Sequence, residues 1–376
     1  MPFVIAVAAD FATGDYWIIV LLLFGFFIPG LLIVFLCTWP YLLGETFNVQ
    51  LLQVGMQVLY TIGAGGIDTI CDIFGAKQFH PVNHSNRLGG YFVWATVMLS
   101  VGGLTAELVY SMIANVKVVA AFGSMLVCLV VASVLFLFGT KRYIVRKINK
   151  KDNLLTVRAA VESMRFWKKM DDGKLVVCRP GFEKVKESKG GHIRDDLVTA
   201  AMRLLMIIPV QGFFIPFNIA LQQMSNMLIT MSFAMSHPVM WTGSNMVFAT
   251  SLPTFVLGIV ANKYIYPYLN KKRIYLSTSR KICIGSVAWM LVYLSMVGVD
   301  HRIRRVYAET GEKINIGWQF FPYAIGSFGY IFGNPPQDEL TFRLAPEEWK
   351  VLGNAINKVR WEPSLLFLCS SLCART

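Results

Sequence analysis

The chain has 376 residues, 55% of them hydrophobic and only 15% charged, with a mean hydropathy of +0.53. A water-soluble domain carries about 25% charged residues, so an ordinary soluble globule is excluded. The net charge of +13 does not point to nucleic acid, because many of the bases gather in Lys141–Arg203 and Lys271–Lys281, between apolar runs; that is the positive-inside pattern of cytoplasmic loops.

In chain order, Met1–Ala9 reads as the tail of a further helix. No charged segment precedes it, so it does not read as a signal peptide. Apolar runs long enough to span a bilayer core follow at Trp17–Leu43, Val49–Phe79, Leu88–Ile113, Val118–Gly139, Leu204–Ala234, Met246–Tyr268, Ile282–Val299 and Ile316–Phe332. The predicted fold is an all-α, polytopic membrane bundle of about eight full spans plus an N-terminal stub. Residues 1–139 form one bundle, 140–199 a basic cytoplasmic linker, 200–352 a second bundle and 353–376 a divergent tail. The outer loops Leu43–Asn48 and Ser236–Asn245 carry no Lys or Arg, whereas Asp300–Ile314 is expected to be a basic outer loop. Within the linker, Leu154, Val157, Val161, Met164 and Trp167 recur at helical spacing, which predicts an amphipathic helix over Asn153–Met170. It reads either as a lateral helix on the inner leaflet, held near anionic lipid, or as a linker helix packed under the bundle.

The stretch GAGGIDTICDIFGAKQF, Gly63 to Phe79, carries the most specific pattern. It resembles the fourth-helix signature of the proton-coupled oligopeptide transporter family of the major facilitator superfamily, G-x-G-G-x-K-P followed by F-G-x-D-Q-F. Gly63, Gly65, Gly66, Phe74, Gly75, Gln78 and Phe79 keep the frame without a gap. Two charges are reversed: Asp68 replaces the family's lysine and Lys77 its aspartate. Upstream, AADFATGDYW resembles the family's A-D-x-x-x-G-x-Y turn through Asp10, Gly14 and Tyr16, with Asp15 where a base often stands. Tyr91–Leu104 resembles the fifth helix, with Thr96 and Ser100 at positions often near substrate. Gln223–Met235 is similar to the seventh helix through Gln223, Asn226, Leu228 and Met235. Gly317–Leu352 follows the tenth helix and its exit, with Tyr330 in place of a glutamate. The first helix, with its E-x-x-E-R-F site, and the last two helices have no counterpart, so the chain reads as a fragment.

Asp68 is the leading chemical candidate. It lies about 16 Å inside the cytoplasmic end of its helix, where an acid costs at least about 2.5 kcal/mol unless it faces a cavity or a partner. An aspartate there repels a carboxylate and favours an amine or a proton. Asp72, one turn on, shares its face. The two form a proton-carrying pair, or Asp72 reaches cytoplasmic water and pairs with Lys77 or Arg87. Glu107 falls near the outer end of its span and reads as interfacial. Gln222, Gln223, Ser225 and Asn226 give a polar face that lines a path or bonds a neighbouring helix. Gly63, Gly65 and Gly66 allow close helix approach, and packing alone accounts for at least two of them. The sequence holds no metal-ligand spacing, nucleophile triad or phosphate-binding glycine loop, so neither a cofactor nor an enzyme is expected.

The resemblance implies secondary transport of di- or tripeptides or related small solutes, with protons as the driving partner and membrane lipid as the surrounding, in a plasma, vacuolar or lysosomal membrane. The implied path is Asp68, Asp72, Thr96, Ser100, Gln223, Asn226 and Tyr330. The lost lysine and glutamate leave two alternatives: a member with another substrate, such as a cationic amine, or a truncated or degenerate paralogue that does not transport.

Overall fold

The computed structural model describes residues 2–39, 49–79, 85–145, 150–165, 182–238, 243–273 and 276–359. Among them no strand forms, as expected where a bilayer leaves backbone groups to be satisfied within each segment. A short α1 (Pro2–Ala8) leads into α2 (Asp15–Thr38), α3 (Val49–Lys77), α4 (Arg87–Ala114) and α5 (Val118–Arg142). The linker helix α6 (Lys150–Arg165) follows. Then come α7 (Asp195–Ser232), α8 (Asn245–Leu269), α9 (Thr278–Thr310), α10 (Phe320–Leu344) and α11 (Lys350–Val359). Seven of these, α2 to α5 and α7 to α9, are long and apolar enough to cross a membrane.

The eighth expected span, 316–332, is α10. It is a full helix that runs past the expected span: Asn334, Gln337 and Glu339 are buried on the extension, whereas Phe321 and Phe328 within the span are exposed. The expected basic loop at 300–314 is also revised, because α9 continues through Thr310. Two ion pairs one turn apart, Arg304 with Asp300 at 2.8 Å and Arg305 with Glu309 at 2.7 Å, support the exposed extension. Arg302 stacks over Trp318 at 4.2 Å. Gly311, at φ +71, ends the helix and donates its N–H to Tyr307. The apolar run stops at Val299, and the helix outlives it because exposed side-chain pairs replace burial. Gly14, at φ +88, turns the chain sharply between α1 and α2, a conformation that a side chain resists.

Helix α6 realises the expected amphipathic segment; Trp167 lies outside the described residues. It packs on α7 through Ala159, against Leu197, Val198 and Ala201, and Asn153, Thr156 and Ser163 are buried with it. Its apolar stripe points elsewhere: Leu154 is 64% exposed, with Val157 and Val161 exposed beside it.

Two apolar cores organise the molecule. One joins α7, α8, α9 and α10 around Leu228, Trp289 and Tyr323. The other joins α1 to α4 around Ile19, Ile70 and Phe92, and takes in Trp349, Val351, Leu352 and Ala355 from the α10–α11 corner and α11. Helix α11 therefore docks on the N-terminal bundle, although it follows the C-terminal one in sequence. Its first turn is held by Asp10, whose carboxylate accepts the Leu352 N–H at 2.9 Å. Asn153 of α6 donates to the Asp10 carbonyl at 2.7 Å, so one turn ties together α1, α6 and α11.

Burial pushes the Asp10 carboxyl up to about 7, against the opposing pull of the Lys77 charge and the Leu352 N–H. The folded protein therefore holds this proton more tightly than the unfolded chain does. Its stabilising contribution is complete below about pH 4 and is lost as pH rises through about 7. Melting temperature in detergent should fall between pH 5 and pH 8, and Asp10→Asn, which keeps an acceptor for Leu352, should flatten that slope. An unchanged slope in the variant would remove Asp10 as its origin.

Candidate functional site

The site is built on α3. A Cβ at Gly63 would lie 2.7 Å from the Phe27 backbone, and one at Gly66 2.7 Å from Leu22, whereas Gly65 has nothing within 4 Å. Gly63 and Gly66 thus let α3 press against α2. Gly65 lies on the opposite face with Asp68 and Asp72, in line at helical spacing. That face opens on a cavity of about 220 Å³. Helix α3 lends it Asp68 and Asp72, α4 lends Phe92 and Thr96, α10 lends Tyr330, Asn334 and Asp338, and α11 lends Lys358.

Lys358 decides the electrostatics. Its Nζ lies 3.0 Å from Asp68 and 3.6 Å from Asp72, and the side chain is only 19% exposed. Asp338 accepts from the Asn357 amide at 2.6 Å, which brings a third carboxylate to the same wall. Asn354 donates to the Thr69 carbonyl at 2.7 Å, and Tyr91 donates to the Asp72 carbonyl at 3.0 Å. These bonds set the register of α11 against α3 and fix the acidic turn from behind.

The expected partners of Asp72, Lys77 and Arg87, are corrected by this geometry: both acids share Lys358. Lys77 is engaged elsewhere, 2.7 Å from Asp15, with both side chains largely buried. The two departures at Asp15 and Lys77 are therefore one reversed ion pair. Around it, Phe74 packs with the rings of Tyr16, Phe136 and Tyr143. Gln78 accepts the Ile144 N–H at 2.8 Å, Gly75 leaves room for the Tyr91 hydroxyl, and Phe79 lies against the Tyr91 ring.

Of the seven path candidates, Asp68, Asp72, Thr96 and Tyr330 meet at the cavity. Ser100 is buried next to it, with its hydroxyl turned to the Thr96 carbonyl at 2.9 Å. Gln223 is half-buried and Asn226 exposed on α7, and neither lines the cavity. Glu107 is not merely interfacial: it bonds Ser251 of α8 at 3.1 Å, and its Oε2 is buried without a partner. Sequence reasoning missed Asn334, Asp338 and Lys358. The last was legible in part, since Val351, Leu352, Ala355 and Val359 alternate with Asn354, Asn357 and Lys358 as the two faces of a helix. Among the described residues no His, Cys, Asp or Glu group could hold a metal ion.

The sequence model of the POT family matches residues 16–362. The chain belongs to the POT family. Among solved structures, an auto-inhibited POT family peptide transporter matches with a TM-score of 0.70 at 19% identity, covering 100% of this chain and 78% of that one. The POT family transporter PepTSo matches with a TM-score of 0.73, also at 19% identity and with the same coverage. A POT family transporter in complex with 5-aminolevulinic acid matches with a TM-score of 0.55 at 14% identity, over 97% of this chain and 79% of that one. No curated protein sequence matches. The protein is thus a multi-pass integral membrane protein of the POT family.

The reversed pair gives a test of how this POT member holds α2 against α3. Removing one partner of a largely buried pair costs about 3 kcal/mol, so Lys77→Met should lower the melting temperature clearly. Asp15→Asn combined with Lys77→Met should recover most of the loss. A double variant no more stable than Lys77→Met would show that the pair does not couple.

Proposed function

We propose that the protein is a secondary transporter that moves a small peptide or related small solute through the Asp68–Lys358 cavity, driven by protons. The observation that carries this reading is a lysine bridging two carboxylates in a cavity shared by α3, α4, α10 and α11. Ionisable groups at membrane depth are expensive and mark solute or proton paths. Membership of the POT family supports transport as the activity and argues against an enzyme. Relatives of the same fold have been solved with 5-aminolevulinic acid and with a thioalcohol-conjugated peptide.

In this mechanism the two bundles rock about the cavity. With Asp68 and Asp72 both ionised, Lys358 draws α11 onto α3. A proton on either carboxyl removes one attraction, worth a few kcal/mol at about 4 Å in a partly screened site, and frees α11 to part from α3. Thr96 and Tyr330 border the solute. Ser100, Gln223 and Asn226 have no part in this state.

The test is uptake by reconstituted protein with a panel of labelled dipeptides and dipeptide amides under an imposed inward proton gradient. At least one solute should accumulate above equilibrium, and a protonophore should abolish that accumulation. Asp72→Asn should lose about tenfold or more of the gradient-driven accumulation while keeping exchange of labelled for unlabelled solute. Accumulation indifferent to both the gradient and Asp72→Asn would contradict proton coupling through this site.

A further inference from the structure

The cavity is lopsided in its chemistry. Asp68, Asp72 and Asp338 supply three carboxyl groups, and Lys358 is the only base among the described residues that line it. Lys358 is already engaged by Asp68 and Asp72, so a substrate carboxylate meets no free cation there. A further acceptor stands beside them: Asn334 is only 7% exposed and lines the same cavity; its side chain hydrogen-bonds Tyr330, and its Oδ1 has no partner. A buried acceptor left unpaired is costly, and an ammonium, with three N–H donors and no acceptor, is the group that satisfies it.

We infer that this cavity selects its solute by an ammonium group rather than by a carboxylate, with Lys358 as a tethered ammonium whose place the solute takes. This rests on the proposed transport reading and names its substrate class: small amines without a free carboxylate, including peptide amides. The incoming ammonium pairs with Asp68 and donates to Asn334, and Asp72 is left to carry the proton of the transport reading. Lys358, displaced, swings towards Asp338. Phe92 and Tyr330 give the body of the solute an aromatic wall, and aromatic faces also attract cations. The exchange conserves charge at Asp68, so the solute at Asp68 and the proton at Asp72 together release α11 from α3. Asp68 here does what a lysine at that position could not, and Lys358 prevents three carboxyls from standing unpaired in the empty state.

Calorimetric binding to the purified wild-type protein tests this without any substitution. Three related probes suffice: alanyl-alanine, alanyl-alaninamide and N-acetyl-alanyl-alanine. The amide should bind about tenfold or more tighter than the free dipeptide, and the N-acetyl acid should not bind. Equal or tighter binding of the free dipeptide, or binding of the N-acetyl acid, would overturn the ammonium rule while leaving transport through the cavity intact. If none of the three binds and none is taken up, the ammonium rule and the transport reading fall together. Two variants then separate exchange from simple attraction. Lys358→Met should raise amide affinity by removing the competitor, whereas a structural counter-ion would lower it or leave it unchanged. Asn334→Leu, which alters no charge, should weaken the amide severalfold, and an unchanged affinity would count against the acceptor role.

Discussion

Lys358 stands 3.0 Å from Asp68 and 3.6 Å from Asp72, and much of the architecture follows from the need to pair those charges. An unpaired ion held away from water costs several kcal/mol, and the largely buried partner is Lys358, at 19% exposed against 57% for Asp68 and 32% for Asp72. Lys358 therefore requires carboxylates, and α11 brings it to the two on α3. To do so the helix leaves the C-terminal bundle, packs Val351, Leu352 and Ala355 into the N-terminal core, and is locked by Asn354 on Thr69 and Asp10 on Leu352. Packing and electrostatics agree on one register, and that agreement makes the cavity a defined site.

The same constraint explains the reversed charges elsewhere on α2 and α3. Asp15 and Lys77 each depart from the family pattern in sign, yet they meet at 2.7 Å. A buried pair demands opposite charges in a fixed geometry, and either order satisfies it. At Asp68 the reversal is compensated differently, by a lysine on another helix. The first exchange preserves a structural contact. The second moves the cation to the opposite wall of a cavity, which alters what the cavity can bind.

Much of the fold was legible in the sequence because bilayer thickness writes itself as apolar runs, and α2 to α5 and α7 to α9 follow them closely. Gly63 and Gly66 were legible as close-packing positions for the same local reason. What escaped depends on contacts between distant segments. The extension of α9 past Val299 rests on side-chain pairs rather than burial. Gln223 and Asn226 are polar residues on α7, but α7 lends no residue to the described cavity wall. Lys358 lay in a short polar stretch whose meaning came only from Asp68, far away in the chain. Asn334 and Asp338 lie past the end of the expected span 316–332, on a helix that continues through Pro335 and Pro336.

The central claim is that opposite charges on α3 and α11 are coupled across the cavity, and exchanging them tests it most directly. Asp68→Lys and Lys358→Asp should each lower the melting temperature and the monodisperse yield in detergent, because each sets like charges against one another. The double variant, which restores an opposite pair between the same two helices, should recover most of both. A double variant no more stable than the worse single one would contradict the account, since the pair would then be a coincidence of packing rather than the contact that seats α11.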